Sequence, residues 1–125
     1  LSAYFGRVIE SKAQAVEAAQ ELITLGVGAV AVSLGSEGAI LVMEDQTIDV
    51  EIPNIQVANP VGSGDAFVAG LATAISRQYP MDKAMSLACA CGTANALEQK
   101  TGWIEREKLN GIKSKIKVYT KKLDL

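Results

Sequence analysis

A chain of 125 residues is long enough for one domain at most. With 49% hydrophobic and 21% charged residues, its composition is typical of a globular domain with a buried core. The net charge of −2 gives no electrostatic attraction to nucleic acid or to an anionic membrane. No apolar run could span a bilayer and no segment resembles a signal peptide. Together with the net charge, these observations lead us to expect neither a nucleic-acid nor a membrane partner.

Cys89 and Cys91 are the only cysteines, and the sequence contains no histidine. Residues two apart on a helix point to different faces, so these thiols cannot bridge each other. Without a second cysteine pair or a histidine, we expect no zinc site, and we name no residue of this chain as a metal ligand. Free thiols in an apolar run are typical of a reducing compartment, so we expect a cytoplasmic protein. Both cysteines and Met85 are interpreted as core residues.

The first part of the sequence predicts a helix followed by a buried strand. Ser11 followed by Gln14 has the pattern of a capping box. An apolar stripe at helical spacing follows, and it consists of Ala15, Val16, Ala19, Leu22 and Ile23. The short β-branched run at 29–34 predicts a strand buried on both faces, as in parallel sheets. A helix followed by such a strand is half of a βαβ unit, which indicates the α/β class.

Two further strands are predicted before the middle of the chain. A tight turn at 35–38 leads into an apolar strand at 39–43. Residues 47–52 then alternate between polar and apolar side chains, as expected for a half-exposed strand. Pro53 ends this strand.

The second half predicts two helices with little polar surface. Residues 66–75 are small or apolar on nearly every side, which indicates a helix packed in the interior. Asp82 is expected to cap the next helix, and Gly102 to end it. Seven of the twelve basic residues lie between Arg106 and Lys122. We interpret them as the solvent face of a terminal helix and strand rather than as a polyanion site.

The most informative stretch, at 59–70, reads Asn-Pro-Val-Gly-Ser-Gly-Asp-Ala-Phe-Val-Ala-Gly. It predicts a glycine-containing loop directly before a buried helix. The first amide groups of a helix lack intrahelical partners, and the dipole adds roughly half a positive charge there. Because glycine also lets the backbone approach an anion closely, the stretch predicts a phosphate site. Asp65 in the same turn would repel that phosphate unless it acts on the attacking group, which is a phosphoryl-transfer arrangement.

Gly-x-Gly-Asp alone is a weak signal, because aspartate is common in first helical turns for capping and dipole reasons. Two other familiar nucleotide-binding motifs do not match this sequence. No Gly-Lys-Ser or Gly-Lys-Thr is present for a Walker-type loop, and Gly62 and Gly64 lack the third glycine of the dinucleotide fingerprint. Gly26 and Gly28 precede a strand, whereas that fingerprint would follow one.

The flanking residues carry a resemblance to a known family. Residues 59–72 resemble, position for position, the C-terminal signature of the PfkB-type carbohydrate kinases of the ribokinase superfamily. Ser-Leu-Gly-Ser-Glu-Gly-Ala at 33–39 resembles the strand and turn that line the family's nucleotide site. Ala-Cys-Gly-Thr-Ala-Asn-Ala-Leu at 90–97, with Thr-Gly at 101–102, resembles the helix and loop over the nucleotide base. The resemblance covers nearly the whole chain.

The resemblance implies a ribokinase-like, Rossmann-like α/β fold with a mostly parallel sheet flanked by helices. Asp65 would be the base that deprotonates a sugar hydroxyl. The backbone amides of Gly62, Ser63 and Gly64 would form the anion hole, with Gly64 also near the nucleotide. The residues bordering the ATP phosphates and ribose would be Ser33, Gly35, Ser36 and Gly38. Asn95 would lie near the adenine or ribose; the alternative, which the residues alone favour, is a buried amide bonded to neighbouring helix backbone.

The implied reaction is phosphoryl transfer from ATP, with Mg²⁺, to a ketose phosphate. The flanks are most similar to the tagatose-6-phosphate kinase branch, and the 1-phosphofructokinases are near relatives. Two alternatives stay open. One is another substrate of the ribokinase superfamily, such as a nucleoside, ribose or a vitamin precursor. The other is a nucleotide-binding domain without turnover.

The resemblance also implies that residues 1–125 are the C-terminal, nucleotide-binding part of a single kinase domain. The N-terminal sugar-binding part, with its metal-holding motif and a lid often used in dimerisation, would be absent. A homodimer is therefore an expectation for the full-length protein, and the chain alone is expected to be inactive. Asn59 stands where many family members have aspartate, which leaves monovalent-cation activation open.

Overall fold

The computed structural model describes residues 11–53, 63–97 and 106–122. These ranges form a four-stranded sheet between helices. In chain order the elements are α1 (Lys12–Thr24), β1 (Ala29–Ser33), β2 (Ala39–Met43), β3 (Gln46–Glu51), α2 (Ser63–Ser76), α3 (Met81–Leu97), α4 (Arg106–Lys113) and β4 (Lys117–Lys122). A short 3₁₀ turn, Gly35–Glu37, joins β1 to β2. None of the described helices is long and apolar enough to cross a membrane.

Strand β2 lies at the centre of the core, because both of its faces are covered. Ile40 and Val42 pack with residues of α1 on one face of the sheet. Ala39 and Leu41 project to the opposite face and pack with residues of α2 and α3. This alternation follows from the two-residue period of a strand. The sheet therefore separates α1 from the α2–α3 pair.

The predicted first helix is confirmed together with its cap. The Ser11 hydroxyl accepts a hydrogen bond from the backbone N–H of Gln14 at 3.2 Å. The face of α1 toward the sheet is made of small residues that are fully buried, namely Ala15, Ala18 and Ala19. In the first turn, the Lys12 ammonium pairs with the Asp49 carboxylate of β3. This ion pair links the N-terminal end of α1 to the third strand.

The described strands lie in the order β1-β2-β3-β4, and every neighbouring pair is antiparallel. The mostly parallel pairing implied by the resemblance is therefore not found among these four strands. The turns that join the first three strands are too short for the crossover that parallel pairing requires. The prediction that β1 is buried on both faces is wrong for the described residues. Val30 and Val32 pack on the side of α1, whereas the alternate residues of β1 are exposed, because no described element covers that face of the strand.

Helices α2 and α3 pack closely at two glycines, one from each helix. A Cβ atom at Gly70 would lie 3.0 Å from Sγ of Cys91 and 3.1 Å from Cα of Ala88. A Cβ atom at Gly92 would lie 3.1 Å from the carbonyl oxygen of Ser63. Distances this short are tighter than ordinary van der Waals contact, so a side chain at either position would push the helices apart, and glycine permits the closer approach.

The prediction that α2 is buried on nearly every side is wrong for the described residues. Its buried residues are Phe67, Gly70 and Ala74, whereas Val68 is 61% exposed and Ile75 is 52% exposed. The sheet and α3 cover one face of α2, and no described element covers the other. The buried character predicted for α3 is confirmed. Its first turn contains Asp82, which was expected at the cap, and Gly102 lies outside the described residues.

The basic C-terminal segment forms a helix and an edge strand, as predicted. Ile112 of α4 is buried, and Ile116 and Val118 pack against the core. The lysines between and after them are exposed. Strand β4 pairs with β3 from Glu51↔Lys117 to Gln46↔Lys122. Lysines along an edge strand disfavour pairing with another chain, which gives them a structural role without a polyanion ligand.

Gly38, which follows the 3₁₀ turn, gives a test of the close packing between the start of β2 and strand β3. Its φ is 87°, and a Cβ atom would lie 2.0 Å from the carbonyl oxygen of Val50. Gly38→Ala should therefore lower the free energy of unfolding by about 2–4 kcal/mol, measured by urea denaturation. Gly28→Ala is the matched control, because a Cβ atom there meets nothing within 4 Å. Equal losses in the two variants would contradict the packing described here.

Candidate functional site

A cavity of about 260 Å³ opens where the glycine turn between β1 and β2 faces the first turn of α2. The end of β3 and one face of α3 complete its wall. Four separate segments of the chain thus meet at one concave surface. Such a cavity, on the side of the sheet that carries α2 and α3, is the natural place for a ligand.

The first part of the wall is the turn predicted to border a nucleotide. Ser33, Gly35, Ser36 and Gly38 all line the cavity. Gly35 and Gly38 have φ angles of 57° and 87°, which residues with side chains adopt at a cost. The N–H of Leu34 donates to the carbonyl of Gly38 at 2.8 Å and closes the turn. Backbone atoms rather than long side chains therefore form this part of the surface.

The second part of the wall is the beginning of α2. Ser63, Gly64 and Phe67 line the cavity. A Cβ atom at Gly64 would meet no atom of the described residues within 4 Å beyond its own helix and chain neighbours, and Gly64 itself lines the cavity. Asp65 is exposed in the same first turn and is not part of the described wall. Of the residues predicted to act in this turn, Ser63 and Gly64 therefore line the cavity, whereas Asp65 lies beside it.

The third part of the wall is a face of α3 that sequence reasoning did not assign to a site. Cys89, Gly92, Thr93 and Ala96 line the cavity. They lie at positions i, i+3, i+4 and i+7, which share one face of a helix. This spacing of small residues was the available signal, since three of the four lie in the segment noted for its family resemblance. Cys89 was interpreted as core, and it belongs to the core cluster as well as to the wall.

The described wall contains no charged side chain. Its polar groups are the hydroxyls of Ser33, Ser36, Ser63 and Thr93, together with backbone atoms. A negatively charged ligand in contact with this wall would thus depend on backbone N–H groups and on the N-terminal end of the 14-residue helix α2. The apolar side chains beside them could accommodate a flat ring.

The structure brings six of the predicted site residues into this one wall, namely Ser33, Gly35, Ser36, Gly38, Ser63 and Gly64. Asn95 is 1% exposed and lies outside the described wall. Its Nδ2 donates to Oγ of Ser63 at 3.5 Å. The prediction for Gly62, like the remark on Asn59, falls outside the described residues.

No three potential metal-ligating side chains cluster within the described ranges 11–53, 63–97 and 106–122. This set of residues therefore does not fit a protein-bound Mg²⁺ by itself, because Mg²⁺ prefers several oxygen ligands in octahedral geometry. No chemical step is assigned to a metal here.

Comparison with known proteins now adds to this geometry. The sequence pattern of the pfkB family carbohydrate kinases matches residues 1–106. The chain belongs to this family. The matched range includes the glycine turn, the start of α2 and the cavity-lining face of α3.

Two curated relatives of this pfkB-family chain are sugar-phosphate kinases. Tagatose-6-phosphate kinase of Staphylococcus epidermidis is 46% identical over 87 residues, which cover 70% of this chain and 28% of the relative. The 1-phosphofructokinase of Bacillus subtilis is 33% identical over 102 residues, covering 82% of this chain and 34% of the relative. The chain thus spans about a third of the length of these relatives.

Solved structures agree with this assignment. A Staphylococcus aureus protein with a provisional phosphofructokinase assignment matches 98% of this pfkB-family chain with a TM-score of 0.86 and 32% identity, over 40% of its own length. Phosphofructokinase-2 of Escherichia coli, in complex with potassium, matches 90% of the chain and 37% of its own length, with a TM-score of 0.82 and 27% identity. A ribokinase from Thermotoga maritima shares the fold, with a TM-score of 0.74. The ribokinase-like α/β fold is thereby confirmed.

The burial of Cys89 predicts a dependence of stability on pH. Burial raises the pKa of the Cys89 thiol from 9.0 to about 12, against the lowering effect of the Lys12 ammonium. Above pH 9 the unfolded thiol ionises while the folded thiol stays protonated, so stability falls as pH rises from 9 toward 12. Between pH 8 and 10 the wild type should lose about 1 kcal/mol more free energy of unfolding than Cys89→Ala. Parallel curves from urea denaturation would contradict this account.

Proposed function

We propose that the protein containing this chain transfers a phosphoryl group from Mg-ATP to a ketose phosphate, in the manner of a tagatose-6-phosphate kinase. The observation that carries this proposal is the cavity between the glycine turn at 35–38 and the N-terminal turn of α2. Family membership and the 46% identity to a tagatose-6-phosphate kinase support the reaction class. The 33% identity to a 1-phosphofructokinase makes that activity the second candidate.

In the proposed reaction, the backbone around Ser33 to Gly38 borders the phosphates and ribose of ATP. The amides of Gly62, Ser63 and Gly64 stabilise the negative charge that develops on the transferred phosphoryl. That role is supported by the position of Ser63 and Gly64 in the cavity wall. Because the described part of the wall has no charged side chain, we attribute this stabilisation to the backbone and the dipole of α2.

Asp65 is the proposed base. It accepts the proton of the sugar hydroxyl, the hydroxyl oxygen forms a bond to the γ-phosphorus, and the bond between that phosphorus and ADP breaks. Asp65 lies beside Gly64 but is exposed and outside the nucleotide cavity. This position supports separate roles for Asp65, which acts on the sugar, and for the cavity wall, which binds the nucleotide. A base that acts on the acceptor must face the acceptor rather than the nucleotide.

We also propose that this chain is the C-terminal part of the kinase domain and that an N-terminal part supplies the sugar site and a lid. Support comes from the relatives, because the matched residues of this chain cover only 28% and 34% of their length. It also comes from the exposed apolar side chains Val68 and Ile75 on α2. On its own the chain would bind nucleotide without turnover. In the full-length protein, we propose a cytoplasmic enzyme that forms a homodimer.

Calorimetric titration with Mg-ATP separates the two proposed roles in the α2 turn. Gly64→Val should weaken binding by roughly tenfold or more, because its side chain would enter the cavity and block the approach of phosphate. Asp65→Asn should leave the affinity nearly unchanged, because the base acts on the sugar. Gly111→Val in α4 is the matched control, since a Cβ atom there also meets nothing within 4 Å. Equal losses in the two valine variants would refute the site.

The reaction itself is tested with the full-length gene product and a panel of ketose monophosphates, including tagatose 6-phosphate, fructose 6-phosphate and fructose 1-phosphate. ADP release should depend on one of these acceptors. Asp65→Asn should then lower kcat by roughly 100- to 10,000-fold, with little change in KM for ATP. An active enzyme whose kcat survives Asp65→Asn would exclude Asp65 as the base. Absence of transfer to every ketose phosphate would reject the proposed acceptor class.

A further inference from the structure

Asn95 is one of two buried polar residues within the described ranges, and the other, Thr93, lines the cavity. Burial of a side-chain amide is unfavourable unless its polar atoms are hydrogen-bonded. The Asn95 amide lies at the α2–α3 interface, where it donates from Nδ2 to Oγ of Ser63 at 3.5 Å. An apolar side chain would serve packing alone equally well at such an interface. The presence of an amide therefore calls for a role beyond packing.

Its partner Ser63 belongs to the first turn of α2. Helix α3 also comes close to the backbone of this residue, because a Cβ atom at Gly92 would lie 3.1 Å from the carbonyl oxygen of Ser63. Gly92 and Asn95 are three residues apart, so they lie on one face of α3. The hydrogen bond reaches the side chain of Ser63, and the close approach is to its backbone. Together they limit where this turn can lie against α3.

We infer that Asn95 is a positioning residue that fixes the first turn of α2 through Ser63, and thereby aligns the amides that face the cavity. This inference rests on the proposed function of that turn as the anion hole. Asn95 acts through Ser63 and does not line the described cavity wall. A small displacement of the turn would lower transition-state stabilisation more than ground-state nucleotide affinity, because the amides must match the charge as it develops.

The test is a double-mutant cycle in the full-length enzyme, with steady-state kinetics per folded molecule. Asn95→Ala and Ser63→Ala should each lower kcat by roughly 10- to 100-fold and leave KM for ATP within about twofold. The double variant should be no slower than the slower single variant, because both remove the same interaction. Asn110→Ala, an exposed asparagine of α4, is the control that should behave as wild type.

Two kinetic outcomes would overturn the inference. One is a double variant whose loss equals the product of the single losses, because the residues would then act independently. The other is a lower thermal midpoint for Asn95→Ala with an unchanged kcat per folded molecule, which would leave Asn95 a purely structural role.

A measurement without sugar keeps this inference separate from the proposed reaction. Amide resonances of Ser63, Gly64 and Asp65 should shift in the ¹⁵N–¹H spectrum of full-length Asn95→Ala, and the same three should shift in Ser63→Ala. Unshifted amides at these positions would refute the positioning role even in an active kinase. Shifted amides in a protein that phosphorylates no ketose phosphate would support the positioning role while the proposed function fails.

Discussion

The close approach of α2 and α3 at Gly70 and Gly92 is the contact on which the rest of the site depends. A Cβ atom at either position would lie 3.0–3.1 Å from atoms of the facing helix, which is closer than ordinary van der Waals contact. Helix α3 is itself packed on the sheet through Met85 and Ala88. Because α2 lies directly against α3 at the two glycines, the sheet also determines where α2 lies. The first turn of α2 is consequently placed opposite the glycine turn that follows β1. A larger residue at either position would move one wall of the cavity relative to the other.

The same packing suggests how the described cavity wall, which has no charged side chain, would bind the charged nucleotide of the proposed reaction. Helix α2 starts at the cavity, so its unpaired amides and its dipole act there. A lysine or arginine would bind phosphate more strongly in the ground state as well as in the transition state. Fixed backbone dipoles need no reorganisation when charge shifts during transfer. Their value depends on exact placement, which makes the rigidity of the α2–α3 contact part of the chemistry.

Local patterns were sufficient for much of the fold and indicated a phosphate site at the start of α2, whereas the wall residues Ser33, Gly35, Ser36 and Gly38 were assigned through the family resemblance. Capping at Ser11, the turn at 35–38 and the helix after the glycine loop each depend on neighbours in sequence, so periodicity and turn chemistry predict them. Strand pairing is different, because it depends on what lies beside a strand in space. The run at 29–34 has the composition of a doubly buried strand, yet β1 pairs only with β2 among the described residues. Composition likewise could not show that Val68 remains exposed.

The cavity face of α3 was missed for a related reason. Cys89, Gly92, Thr93 and Ala96 are small, and small residues on a helix are equally consistent with close packing and with space for a ligand. Only the three-dimensional arrangement separates the two, and here Gly92 does both, since it contacts Ser63 and also lines the cavity. Asn95 shows the converse. The residues alone favoured a buried amide bonded to neighbouring helix backbone; the amide is buried, and its described hydrogen bond goes to the side chain of Ser63.

The exposed face of α2 links the shape of this chain to the acceptor. Asp65, Val68, Ala72 and Ile75 are spaced by three or four residues, so they lie along one side of the helix. All four are exposed in the described structure. In the proposed full-length enzyme, a layer that covers the apolar part of this stripe also brings its own residues against Asp65. The surface that completes the core is then the surface that presents the sugar, which couples folding of the whole domain to assembly of the active site.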